Sequence, residues 1–395
     1  MTAAALLACL AAALPGQADT SQPYLLSAQN MKAQIVGRDK VTRLLGEVEI
    51  VHGSTVLKGD SAWVSTLHEK AVVWGRVVVT DRNVQMTGRQ AVYYKKLGKA
   101  VMHGQPLVHD GQWRISADSL AYFRTMARSD AYGRVAISDS AGLQRATGDI
   151  GEYWHDKGYG WLSGNPKIEF REGRDTTTVR TITADRMEIY QQGRMAIATG
   201  DVRYAQDSLP ARLPAEAHYG TQARSDTNGQ GVVSPPANTD SQSRRAGTKA
   251  GLWASCGRAT YYRDQGRLAM EQAPRIWQRD AELTARLVTI GFQGDTIRSL
   301  EARDSVQLEQ FLPGRADTDR IRCDSLSAQF EDGRLAEARA QGNVWSLYHQ
   351  VDRGSATGSN IIQSQTMAFH FRDGKIARVS IPAKAKGVYY SQEQP

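Results

Sequence analysis

A short phrase recurs down this chain, and its recurrence limits the fold more than any count of residue types. It reads "LSAQNMKAQIV" from residue 26, "LKGDSAWVS" from 57, "MTGRQAVYY" from 86, "ISADSLAYF" from 115, "ATGDIGEYW" from 146 and "ITADRMEIY" from 182. After a break it returns as "LWASCGRATYY" from 252, "LTARLVTIGF" from 283, "IRCDSLSAQF" from 321 and "ATGSNIIQS" from 356. In the first six copies the small residue falls at Ala28, Gly59, Gly88, Ala117, Gly148 and Ala184, a spacing of 29 to 36 residues. Such a period marks an architecture in which one supersecondary unit stacks on the next.

Most copies are followed by a second phrase, a glycine leading an alternating run: "GEVEIV" at 46, "GRVVVTD" at 75, "GRVAISD" at 133, "GNPKIEF" at 164, "GDVRYAQ" at 200 and "GNVWSLY" at 342. Polar connectors such as "TLHEKA", "YKKLGKA" and "YRDQGR" lie between the phrases and have hairpin composition. Each unit therefore reads as strand, turn, strand. Within the first phrase Leu120 and Tyr122 share a face, while Ile115 has the opposite parity. Alternation thus slips at Ala117 and Asp118, and a one-residue slip at a small residue predicts a bend or bulge. The recurring Asp60, Asp118, Asp149, Asp185 and Asp324 occupy that same place, which suits a role in the bend.

A two-strand unit cannot bury its apolar face alone, so the ten copies must stack. The expected fold is all-β, an elongated body of two facing antiparallel sheets with an apolar seam between them. The 36 glycines, 15 tyrosines and abundant Val, Thr and Ser agree with strands and frequent turns. Residues 207–250 hold clustered prolines with Gly, Ser and Asn and no periodicity, as a linker or insertion does. They separate a first lobe over 26–206 from a second over 251–391. Residues 1–18 carry an apolar run from Ala3 to Leu14 and a small-residue cleavage pattern, which predicts a secretory signal. "LLAC" at 6–9 has some likeness to a lipoprotein cleavage box. Beyond the signal, Cys256 and Cys323 are too few for a disulfide scaffold and have no metal-ligand spacing, so they are expected to be small buried residues.

The phrases "ADSLAYF", "GDSAWV", "GEVEI", "GDVRY" and "GNVWSL" resemble the repeat of the LptA/OstA family. That family forms the periplasmic bridge of lipopolysaccharide transport, and its domain also occurs in LptC and at the N-terminus of LptD. The likeness covers nearly all of the chain apart from the signal and the linker. It implies an open β-jellyroll that holds acyl chains between its sheets and joins the next protein through its end strands. Two lobes and a long insertion depart from a bridge of one domain. Neither a C-terminal outer-membrane barrel nor a retained N-terminal helix is expected, which disfavours an LptD role and weakens an LptC role.

On that basis the expected lipid-binding groove is lined in the Gly-led strands by Val48, Ile50, Val77, Val79, Val135, Ile137, Ile168, Phe170, Val202 and Tyr204. The small-residue strands add Val64, Tyr93, Leu120, Tyr122, Tyr153 and Ile189. Lys and Arg exceed Asp and Glu by eight, and Lys95, Lys96 and Lys99, clustered in one turn, are the candidates for contact with phosphorylated head groups. Expected partners are lipopolysaccharide through lipid A, other OstA-like transport proteins joined by end-to-end strand pairing, and another copy of the chain as a homo-oligomer. The end segments show no proline and little capping. The expected location is the periplasm. No catalytic residue, metal site or cofactor is expected: the eight histidines are scattered and form no catalytic motif. Net charge alone does not indicate nucleic acid, and basic-aromatic platforms for it are lacking. The competing reading is a structural, self-assembling β-solenoid of the envelope without lipid transport.

Overall fold

The computed structural model describes residues 23–109, 113–171, 178–190, 194–208, 252–278, 280–294, 296–311, 318–331, 334–352, 355–372, 375–382 and 384–391. The expected signal over 1–18 and most of the expected linker over 207–250 lie outside them. The chain is all-β; its described residues form 28 strands in one hydrogen-bonded antiparallel sheet and two single-turn 3-10 segments. Passes of the chain follow one another up and down, each pairing with the next. Some passes are one long strand, as Asp39–His52, and others are two short strands end to end, as Lys99–His103 and Leu107–His109, which lie side by side with Val84–Tyr94. Met195–Ser208 pairs with Leu252–Tyr262, so the ladder runs on from one side of the expected linker to the other.

The two recurring phrases turn out to be the two sides of one bend. Every second pass from Asp39–His52 to Arg334–Asp352 carries two successive left-handed residues at its middle: Gly46 and Glu47, Gly75 and Arg76, Gly104 and Gln105, Gly133 and Arg134, Gly164 and Asn165, Gly200 and Asp201, Gln272 and Ala273, Asp304 and Ser305, and Gly342 and Asn343. In Asp39–His52, Leu45 faces Ser61 and Val48 faces Gly59, so two residues bulge opposite one. The same shift recurs between Trp74 and Val77 and between Tyr132 and Val135. In five of the six Gly-led phrases the glycine therefore does not begin a strand but interrupts one that began earlier, as at Asp39, Lys70 or Arg128, whereas Gly164 lies between Tyr159–Ser163 and Lys167–Phe170. The small residue and its Asp sit on the neighbouring pass, at the same level. Asp118 N donates to Gly133 O at 2.8 Å, and Asp185 N donates to Gly200 O at 3.0 Å. The tenth copy is displaced, because the bulge at Gly342 and Asn343 faces the step between Ser364 and Thr366 rather than the "ATG" at 356.

This line of bends folds the sheet lengthwise into two facing halves, and each pass crosses from one half to the other. Inward side chains form unbroken rows of cross-strand partners. One half carries Ile50, Leu57, Val79, Met86, Val108, Ile115 and Ile137 in succession. The other carries Leu44, Ala62, Val73, Ala91, Met102, Leu120 and Ala131. All of these are buried. Ala62, Ala91 and Ala131 lie among larger residues in the second row, facing an all-large first row, and each fully buried Leu or Ile contributes about 1.5–3 kcal/mol. Two core clusters result, one from Leu44 to Leu162 and one from Ile182 to Phe369, with Ile168 packed against both.

The outer face of one half carries a different row. Lys70, Tyr94, Lys99, Phe123, Arg128, Trp154, Tyr159 and Tyr190 are successive cross-strand neighbours. Lys99 Nζ lies 4.8 Å from the Phe123 ring centre, Arg128 lies 4.7 Å from the same ring, and the Trp154 and Tyr159 rings are 5.3 Å apart.

Candidate functional site

All sixteen expected groove residues project into the seam between the halves. Thirteen are buried; Ile50, Val79 and Leu120 have no exposure, and Ile137 is the most open of them at 9%. Ile168, Phe170 and Ile189 are partly buried.

At the free margins, opposite the bends, the two halves are tied by polar groups. His52 Nδ1 and Tyr93 OH are 2.7 Å apart, and Tyr122 OH donates to Asp81 Oδ2 at 2.8 Å. Ser54 Oγ reaches the other Asp81 oxygen at 2.5 Å. Arg124 Nη1 donates to His52 O at 3.0 Å, bridging a hairpin end of one margin to a strand end of the other. Farther along, Arg180 donates to Gly294 O and stacks over Phe292. Tyr24 covers the near end, with its ring 5.6 Å from His52. Burial and the adjacent Asp81 carboxylate push the Tyr122 phenol well above its ordinary pKa, burial does the same for Tyr204, and burial raises Tyr93. These phenols stay protonated over the physiological range, with Tyr122 donating to Asp81 and Tyr204 to Gln206.

The seam loosens toward the C-terminal end. The strands lengthen there, to 16 residues in Thr296–Phe311 and 19 in Arg334–Asp352. Ile297, Leu308, Ile321, Phe330, Leu335, Ile362 and Phe371 face the core only partly buried. The C-terminal passes present Val379 at 45% and Val388 at 54% exposure. At the other end Met31, Ile35 and Val36 of Asn30–Val36 are exposed. Among the described residues, Asn30–Val36 pairs only with Asp39–His52, and Lys386–Ser391 only with Ser355–Arg372.

Lys95, Lys96 and Lys99 lie at the hairpin end between Val84–Tyr94 and Lys99–His103. Lys96 is exposed, while Lys95 and Lys99 are half-buried against the rings of Tyr24 and Phe123. They face outward from the margin rather than into the seam.

The margin ties were not found from sequence. His52 and Tyr93 are 41 residues apart, and Arg124 and His52 are 72 apart. The one available signal was parity: His52 and Asp81 continue the inward series of Val48, Ile50, Val77 and Val79, so two polar residues fall where the core pattern asks for apolar ones. Cys256 and Cys323 are buried free thiols, each beside a bend, and burial raises both to about 11. Among the described residues no group of three or more His, Cys, Asp or Glu is placed to hold a metal ion.

Residues 26–128 match the family model for the LptA/(LptD N-terminal domain) LPS transport protein. A similar solved structure is LptH, the LptA homologous periplasmic component of the lipopolysaccharide transport device from Pseudomonas aeruginosa. It is 18% identical, with 29% of this chain and 85% of that one covered and a TM-score of 0.27. No curated protein matches the chain.

Proposed function

We propose, starting from the lipopolysaccharide-transport domain matched over residues 26–128, that this chain is a non-catalytic periplasmic carrier that binds the acyl chains of lipopolysaccharide along its seam. The observation that carries this reading is the unbroken apolar row inside the folded sheet, together with its loosening toward the C-terminal end. Acyl chains enter where Ile321, Leu335 and Ile362 are only partly covered, each buried methylene contributing about 0.8 kcal/mol. They advance past Tyr204, Ile189, Phe170, Ile168, Tyr153, Ile137, Val135, Tyr122 and Leu120 as the margin ties part. Val202, Tyr93, Val79, Val77, Val64, Ile50 and Val48 complete the path. Lys95, Lys96 and Lys99 would meet head-group phosphates emerging at the margin. The exposed end strands join neighbouring OstA-like proteins, or a second copy, by strand addition.

The test is mass spectrometry of the protein isolated from its native envelope, combined with photo-crosslinking from probes at Ile362, Ile137 and Tyr122. Co-purifying glycolipid and lipid adducts at Ile362 and Ile137 are expected. The tied and packed interior of the first lobe favours a second reading, a structural envelope solenoid. An absence of glycolipid and of adducts at all three positions would establish that reading instead.

A further inference from the structure

The hairpin ends along one margin differ from those facing them. Leu67 is 57% exposed, Leu97 60% and Met126 46%, each at the outermost point of its turn. The turns are joined in a line: Lys95 N donates to Glu69 O at 2.9 Å, Arg124 N to Gly98 O at 2.9 Å, and His155 N to Ala127 O at 2.8 Å. Asp39 holds the first turn by accepting from Leu67 N at 2.8 Å. Two strand spacings separate successive ends, so the three apolar side chains stand about 10 Å apart on a firm shelf.

Charge and aromatic residues are graded behind that shelf. Lys95, Lys96 and Lys157 lie on the same hairpin ends, with Glu69 and Asp156 the acidic residues there. One residue inward runs the outer row of cations and rings from Lys70 to Tyr190. On the opposite margin the hairpin ends at 53–54, 82–83 and 140–143 carry no exposed large hydrophobic residue among the described residues.

We propose that this margin of the first lobe docks edge-on against an anionic bilayer surface. Leu67, Leu97 and Met126 enter the acyl boundary, Lys95, Lys96 and Lys157 meet lipid phosphates, and the Tyr and Trp of the outer row lie at head-group depth. The three layers match the depth profile of a leaflet: apolar points outermost, cations beside them, amphipathic rings behind. The proposal does not depend on carriage of lipopolysaccharide, because the membrane and not the cargo is the ligand.

The experiment uses the full chain with Cys9→Ser, leaving Cys256 and Cys323 buried, and a polarity-sensitive fluorophore on Leu97→Cys or, on the facing margin, on Asn83→Cys. Vesicles contain phosphatidylcholine with or without phosphatidylglycerol and no lipopolysaccharide. A blue shift at position 97 that requires phosphatidylglycerol and fades with salt, with none at 83, is expected. In vesicle co-sedimentation the Leu67→Ser/Leu97→Ser/Met126→Ser variant should bind about tenfold more weakly with unchanged thermal unfolding, while Trp253→Ser, exposed elsewhere, should bind as the parent does. No shift at 97, an equal shift at 83, or undiminished binding of the triple variant would overturn the proposal. Lipopolysaccharide co-purification, measured separately, reports on the carrier reading alone.

Discussion

The Asp118 carboxylate lies where a Cβ on Gly133 would stand, and its Oδ1 accepts a hydrogen bond from Arg134 Nε at 2.9 Å. Asp60 bears the same relation to Gly75 and Arg76, with a 3.0 Å bond. Asp149, Asp185 and Asp324 stand likewise against Gly164, Gly200 and Gly342, so an Asp on one pass closes the bend on the next at these positions, while Gln29 and Arg89 take its place at Gly46 and Gly104.

Gly133→Ala is the sharpest probe of the bend. Gly133 has a φ of +71°, so alanine meets both the left-handed penalty and the Asp118 side chain. A loss of about 2–3 kcal/mol is expected from urea unfolding. Adding Asp118→Gly should recover the collision but not the backbone penalty, so the double variant should fall between Gly133→Ala and the parent.

Acid should weaken these bends in a defined window. Hydrogen bonds from Arg76 and Arg134 hold the Asp60 and Asp118 carboxyls below their ordinary range. A depressed folded-state pKa gives stability that is present above the unfolded value and lost as pH falls through the folded one. Asp130 and Glu152, raised by burial, act in the opposite sense. The Asp60→Asn/Asp118→Asn variant should therefore show a shallower fall in stability than the parent below about pH 4. Salt should shrink the difference, since both pairs are exposed.

Leu120 has no exposure, and its cross-strand neighbours Met102 and Ala131 are both buried. Leu120→Ala should cost about 3 kcal/mol by chemical denaturation. Val379→Ala, at 45% exposure on a C-terminal strand, should cost under about 0.5 kcal/mol.

Tyr122→Phe removes one donor from the buried Asp81 carboxylate while Ser54 and Thr55 remain. A loss of about 1–3 kcal/mol is expected. Faster hydrogen exchange at Arg124 and along Ser119–Phe123, compared with the parent, would show that the margin has loosened.

The thiols give a readout of local opening. With both pushed up to about 11 by burial, alkylation of Cys256 and Cys323 at pH 8 should be negligible until urea unfolds the ladder. Peptide mass spectrometry distinguishes them from Cys9.

Local chemistry made part of this molecule legible in its sequence. Polar connectors marked the hairpin ends, and two-residue alternation away from each bend gave the inward face of residues as distant as Val48 and Tyr204. The bend itself was only half visible. Parity slipped at Ala117, yet Gly133 read as the start of a new strand, because a bulge that keeps both flanking segments extended is hard to tell from a loop in one dimension. His52, Asp81, Arg124 and Arg180 escaped notice because their partners come from other hairpins, and no periodicity encodes a contact across the fold.

A chain that leaves the ladder at one hairpin end re-enters on the adjacent rung, as Gln206 facing Leu252 illustrates. Whatever polypeptide is spliced into such an end, every existing rung keeps its partner. The body can be lengthened by whole hairpins or decorated at its tips without re-registration, so its reach and its attachments are free to vary independently.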